Sequence, residues 1–204
     1  MAPWPHCKAK RTCTAVRDGT FMQPLDVRLS YDKFVDLRRQ SLASDVGAVL
    51  YVQLQNSNLT QEEEFSSLLA DVDADVSFAS EALGRKPEAV NIWIGTHLST
   101  TSLHKDHYEN LYVVVTGKKH FTLYPPTDFP FLYERSFPTG RWQRDANDGS
   151  FHKVPDSPPA EVPWIAVDPE TPDFHAFPRF AHAHPIQVTV SAGEMVKNKQ
   201  YKIF

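Results

Sequence analysis

Apolar residues recur along this 204-residue chain with two different periods, and each period predicts a different element. In PLDVRLSYDKFVDLRRQSL, Pro24 to Leu42, the residues Leu25, Leu29, Phe34, Leu37 and Leu42 recur nearer the helical spacing than the alternating one, with Ser30 or Asp32 available as a cap. An amphipathic helix is expected there. In AVLYVQLQ, Ala48 to Gln55, strict alternation puts Leu50, Val52 and Leu54 on one face and Tyr51, Gln53 and Gln55 on the other, the pattern of a strand. The segment LTQEEEFSSLLADV returns to helical spacing through Phe65, Leu68, Leu69 and Val72. Its Thr60 and Glu63 stand at capping-box distance, and the acidic run Glu62 to Glu64 suits a helix N-terminus. After a break at Gly84 to Pro87 the pattern reads strand, polar stretch, strand (Leu111 to Val115), turn (Thr116 to Lys118), strand (Lys119 to Tyr124) and a Pro-Pro stop, which predicts an antiparallel meander. Residues 125–185 hold most of the prolines and few apolar runs, and are expected to form a long ordered excursion. A last strand lies in PIQVTVSAGEM, while the final VKNKQYKIF shows no partner in the pattern.

Composition narrows the fold. Sixteen prolines and 12% aromatics sit badly with a helical bundle and well with short strands and long loops, so a mainly β or α+β fold is expected. The length suits one domain. With a net charge of −4, a pI near 6.1 and no Lys/Arg block, nucleic acid is not an expected partner. No apolar run of signal-peptide or membrane-spanning length occurs, so a soluble intracellular protein with no membrane partner is expected. Cys7 and Cys13 are too few for a disulfide framework or a tetrahedral thiolate site.

The chemistry concentrates in TTSLHKDHYENLYVVVTGKKHF, residues 100–121. His104 and Asp106 stand at i and i+2, so on an extended backbone both side chains leave the same face, roughly 6–7 Å apart, with Lys105 turned away. An imidazole and a carboxylate, joined by a second histidine from elsewhere, make the facial triad that leaves positions on ferrous iron open to a co-substrate and O₂. The plainer alternative is a solvated His–Asp pair. Asn110 begins the next strand, and Lys119 opens the one after it, where its ammonium would meet an anionic ligand inside a barrel. The alternative for Lys119 is an exposed hairpin lysine. Thr101 and Tyr51 would add hydroxyl donors to the same anion, and His107 and His120 read as supporting or surface residues.

Together with LYVQ, ASEALGRKPEAVNIWIG, VPWIAVDPETPD and VSAGEM, the run TSLHKDHYENLYVVVTGKKHFTLYPPTD resembles the jumonji-C oxygenases, which depend on ferrous iron and 2-oxoglutarate. More narrowly, these runs look like the small jumonji-C proteins described as bifunctional peptidases and (3S)-lysyl hydroxylases. The resemblance implies a double-stranded β-helix, a cupin or jelly-roll barrel with flanking helices. It further implies that His104 and Asp106 are iron ligands, that Lys119 and Thr101 bind the distal carboxylate of 2-oxoglutarate, and that Tyr51 and Asn110 are further cosubstrate contacts. By the same resemblance the reaction is hydroxylation with O₂ as co-substrate. The substrates are lysines of developmentally regulated GTP-binding proteins, and the compartments are the cytoplasm and also the nucleus. A peptidase activity on histone tails has been attributed to the family, and no nucleophile–base pair in this chain supports it independently.

The resemblance stops after Gly193-Glu194-Met195. The family carries its third iron ligand, a histidine, shortly beyond this Met, whereas VKNKQYKIF contains none. The expected organisation is a non-family segment at 1–11, a partial jumonji-C domain at 12–195 and a divergent tail at 196–204. The last barrel strands and the family's dimerising elements are expected to be missing. Such a chain is expected to be poorly stable and weakly active or inactive, unless His182 or His184 replaces the missing ligand. A non-catalytic jumonji-C-like binding or regulatory protein, and a zinc or manganese cupin without oxygenase chemistry, are the alternatives.

Overall fold

The computed structural model of the chain describes residues 16–17, 19–43, 49–54, 57–61 and 63–198. Their contacts define two units, Ser30–Ser99 and the segments that flank it, a division that length alone does not predict. Cys7, Cys13, the 1–11 segment and residues 199–204 lie outside the described residues, as do Ala48, Gln55 and Glu62.

In the flanking unit the described residues form, in chain order, β1 (Val16–Arg17), β2 (Thr20–Gln23), β3 (Asn110–Val113), β4 (Lys118–Leu123), β5 (Glu134–Arg144), β6 (Phe151–Pro155), β7 (Glu161–Ile165), β8 (Ile186–Ser191) and β9 (Met195–Asn198). β3 pairs antiparallel with β9, and β4 pairs antiparallel with β8. The chain passes between these two sheets at Val114–Gly117 and again at Ser191–Glu194, and the two passages bond to each other. Val114 N–H donates to Glu194 O (3.1 Å), Gly193 N–H to Val114 O (2.9 Å) and Ala192 N–H to Gly117 O (3.0 Å). Gly117 and Gly193 sit at φ +80° and +82°, the left-handed region that a side chain disfavours, so glycine lets both strands leave one sheet for the other here. Nested pairing of an early ribbon with a late one is how a jelly roll folds, and this is the cupin-type architecture that the sequence implied.

The predicted meander is therefore corrected. β3 and β4 occupy the expected positions and flank the expected turn, but they do not pair with each other, and each pairs instead with a late strand, β3 with β9 and β4 with β8. The tail is corrected too, since Val196, Lys197 and Asn198 pair with Tyr112, Leu111 and Asn110. The excursion of residues 125–185 supplies three strands, β5, β6 and β7, of a five-stranded sheet to which β1 and β2 also belong. The first half of β5 pairs with β7, and the second half lies between β6 and the parallel β2.

Two apolar clusters hold this unit. One gathers Leu103, Tyr124, Leu132, Ile165, Val167 and Phe180. The other gathers Val114, Phe121, Leu123 and Val190, with Tyr112, Val188 and Val196 packed against it.

In the Ser30–Ser99 unit the predicted helix forms as α1 (Tyr31–Leu42), and the Ser30 hydroxyl accepts from Lys33 N–H at 3.4 Å. The second predicted helix breaks into α2 (Asn58–Gln61) and a 3-10 segment, Glu63–Ala70. Thr60 falls inside α2, with its hydroxyl on Ser57 O (3.5 Å), and so does not cap a helix. A further helix, α3 (Ser77–Leu83), ends at Gly84, where the break was expected. The predicted Ala48–Gln55 strand is reduced, among its described residues, to one bridge between Val52 and Ile94. Asn58 is fully buried and ties this unit together. Its carboxamide nitrogen donates to Leu54 O (2.7 Å) and Ile92 O (3.0 Å), and its oxygen accepts from Ile92 N–H (2.8 Å). Among the described residues, no helix is long and apolar enough to cross a membrane.

Candidate functional site

The stretch from Thr101 to Glu109 leads into β3 through a bend at Tyr108, and side chains from the excursion orient the polar groups at its start. Trp164 Nε1–H donates to the Ser102 hydroxyl (3.2 Å), and the Trp164 ring stacks on His104 at 5.7 Å and 11°. His104 Nδ1 lies 2.9 Å from Ser102 O. A carbonyl only accepts, so Nδ1 carries the proton and Nε2 is left as the lone-pair nitrogen, the tautomer that a metal-binding imidazole needs.

Asp106 is half-buried and held at both oxygens. Its Oδ1 accepts from Tyr108 N–H (3.0 Å), and its Oδ2 accepts from Asn110 Nδ2 (2.5 Å). Lys105 turns the other way, as alternation requires, with its ammonium 3.1 Å from Glu134 and over the Phe129 ring. Asn110, the first residue of β3, thus holds Asp106 directly.

Lys119 lies on β4 opposite Val190. Residues 119, 121 and 123 share one face of the strand, and Phe121 and Leu123 are core residues, so the lysine faces the interior of the Val114 cluster. Burial pushes its ammonium pKa down. Thr101 is exposed. Tyr51 belongs to the Ser30–Ser99 unit, where its ring packs so closely on Gly95 that a Cβ there would stand 2.9 Å from Tyr51 Cδ2.

The other histidines are placed elsewhere. His120 is exposed, with Nδ1 2.8 Å from the Thr189 hydroxyl, and His107 is also exposed. His182 packs on Phe131, and His184 pairs with the buried Asp128 through its N–H (2.5 Å) and ring nitrogen (3.3 Å). Among the described residues, no group of three His, Cys, Asp or Glu side chains could hold a metal ion. His182 and His184 thus do not replace a third ligand beside His104 and Asp106. The donor set offers two of the three groups of a ferrous facial triad and does not fit it.

One residue escaped the sequence reading. Asn198, 1% exposed, is paired in register with Asn110, and neither its Nδ2 nor its Oδ1 has a hydrogen-bond partner. The only hint in the sequence is that Val196 and Asn198 alternate, a pattern of two residues.

A family model described as a cupin-like domain matches residues 8–197. The chain is 44% identical over 182 residues to the human protein named bifunctional peptidase and (3S)-lysyl hydroxylase JMJD7, covering 89% of this chain and 56% of that one. It is 44% identical over 150 residues to lysine-specific demethylase JMJ32 of Arabidopsis thaliana, covering 70% and 44%. It is 37% identical over 191 residues to JmjC domain-containing protein E of Dictyostelium discoideum, covering 88% and 54%. The chain thus spans about half the length of these curated relatives.

Proposed function

The chain belongs to the cupin-like, jumonji-C family, and from that premise we propose that it is an oxygenase-type domain of low turnover directed at protein lysine. His104 and Asp106 are its cation donors, and Lys119 and Thr101 are its contacts to a dicarboxylate cosubstrate. The observation that carries this reading is the prepared half-site. A histidine has its tautomer set by Ser102, a carboxylate two residues on is clamped by Asn110, and a lysine faces the interior of the same barrel.

In this reading each side chain has a separable task. The Lys119 ammonium is desolvated by its surroundings, and a carboxylate placed beside it offsets that desolvation, which favours anions over neutral ligands. Asn110 keeps the Asp106 carboxylate turned inward. Trp164 and Ser102 hold the His104 ring. Ferrous iron and 2-oxoglutarate are the family's cofactors, and two donors fall one short of the triad that holds ferrous iron, so low turnover is expected. The protein substrate is read, by the resemblance, as a developmentally regulated GTP-binding protein, met in the cytoplasm or nucleus. A second reading, a non-catalytic domain that keeps the cation and anion contacts, is favoured by the missing third His, Cys, Asp or Glu donor among the described residues.

The test is to incubate the purified chain with ferrous iron, 2-oxoglutarate, O₂ and a lysine peptide from such a GTP-binding protein. Succinate and hydroxylysine are then followed by mass spectrometry. Slow hydroxylation that Lys119→Met abolishes supports the first reading. Dicarboxylate binding without succinate supports the second, and failure to bind a dicarboxylate at all overturns both.

A further inference from the structure

We propose that Asn198 is the third donor of the His104–Asp106 site, and that the site so completed binds divalent cations with a preference for the oxygen-seeking Mn²⁺ or Mg²⁺ kind. The inference rests on the reading of His104 and Asp106 as cation donors.

Placement comes first. β9 lies beside β3, and Asn198 is directly opposite Asn110. Side chains opposite one another in an antiparallel pair project from the same face with Cβ atoms about 4.5–5.5 Å apart. That face is the inner one. Tyr112, two residues from Asn110, and Val196, two residues from Asn198, both pack on the Val114 cluster. The Asn110 carboxamide in turn reaches the Asp106 carboxylate. Asn198 is therefore one side chain away from Asp106, on the same interior.

The orphaned amide comes second. Buried carboxamides find partners for both ends, because leaving water without replacement bonds is unfavourable. Both ends of Asn198 are unmatched in the protein itself. A cation at the site satisfies Oδ1, and an anion bound to that cation accepts from Nδ2, so one ligand pair answers both ends.

The donor chemistry sets the preference. A carboxylate, one neutral imidazole and an amide oxygen supply a single negative charge. A divalent ion then remains net positive and open to an anionic ligand. Exchanging an imidazole for a carbonyl-type oxygen moves the set away from iron and nickel and toward manganese and magnesium.

Mn²⁺ binding by the full chain, followed by electron paramagnetic resonance and by thermal unfolding with and without Mn²⁺, tests this without any turnover. The wild type is expected to bind Mn²⁺ and to be stabilised by it. Asn198→Leu, which leaves no buried polar atom, should fold and weaken Mn²⁺ by about 10-fold or more, and Asn198→Asp should strengthen it. If Asn198→Leu binds Mn²⁺ as the wild type does while Asp106→Ala does not, the role of Asn198 is overturned and the half-site survives. If Asp106→Ala leaves Mn²⁺ binding unchanged, or the wild type binds none, the half-site reading itself fails.

Discussion

Among the described residues two asparagine carboxamides are buried almost completely, Asn58 at 0% and Asn198 at 1% exposure, and the chain treats them in opposite ways. Asn58 bonds Leu54 O, Ile92 O and Ile92 N–H, and its own backbone N–H meets Asn91 Oδ1, so it splices two segments of loop. Asn198 bonds nothing through its side chain. The first amide substitutes for strand hydrogen bonds where the chain has no ladder. The second stands on a strand whose backbone pairs with β3, and its side chain makes none of those bonds. A fully satisfied buried amide marks architecture, and an orphaned one beside a clamped carboxylate marks a place where something binds.

The contrast breaks most sharply at Asn58. Asn58→Leu strips three backbone groups of their partner, and a loss of about 3–5 kcal/mol is expected, read as a lower urea midpoint. The same replacement at Asn198 should act in the opposite direction. Asn198→Leu removes an unmatched amide at nearly constant volume and should raise metal-free stability by about 1–2 kcal/mol.

Two smaller effects sharpen the comparison, because the apolar clusters of the flanking unit differ in the same sense. Lys119 shares an interior face with the Val114 cluster, and its folded pKa is depressed by burial, so the unfolded chain binds more protons below the ordinary lysine value. Stability from this group is therefore greatest above 10.5 and is lost as pH falls through the lowered folded value. Lys119→Met should flatten that limb of the stability–pH curve and stabilise at neutral pH by less than Asn198→Leu does.

Tyr124, in the closed cluster with Leu132 and Ile165, has its pKa pushed up from 10.0 to about 12, first by burial and then by the Asp128 carboxylate. Its folded value is raised. Stability is therefore fully present below pH 10 and lost as pH climbs from 10 to about 12. Tyr124→Phe should remove that alkaline loss and change little at neutral pH, as chemical denaturation across the pH range would show.

The candidate site residues were proposed from the order of residues alone. His104 and Asp106 stand two residues apart, and alternation within an extended backbone needs no tertiary information to aim them together. The Ser30 cap of α1, the stop at Gly84 and the turn at Gly117 were legible for the same reason, since each depends on a few adjacent residues. Pairing was not legible. The pattern of β3 and β4 fits a hairpin as well as it fits two strands held by β9 and β8, because alternation specifies a face and says nothing of the neighbour.

By itself, the amino-acid order determined where α1 forms, where the chain breaks at Gly84 and where β3, β4 and β8 run, because those features follow from backbone geometry over a few bonds. Only the tertiary structure decided that Val196 to Asn198 pair with β3. β9 borrows the free edge of β3 from more than eighty residues away, and that pairing carries Asn198 into the interior beside the group that holds Asp106. An edge strand accepts any chain that can complete its hydrogen bonds, so what the tail brings inside is settled by register and not by its own pattern.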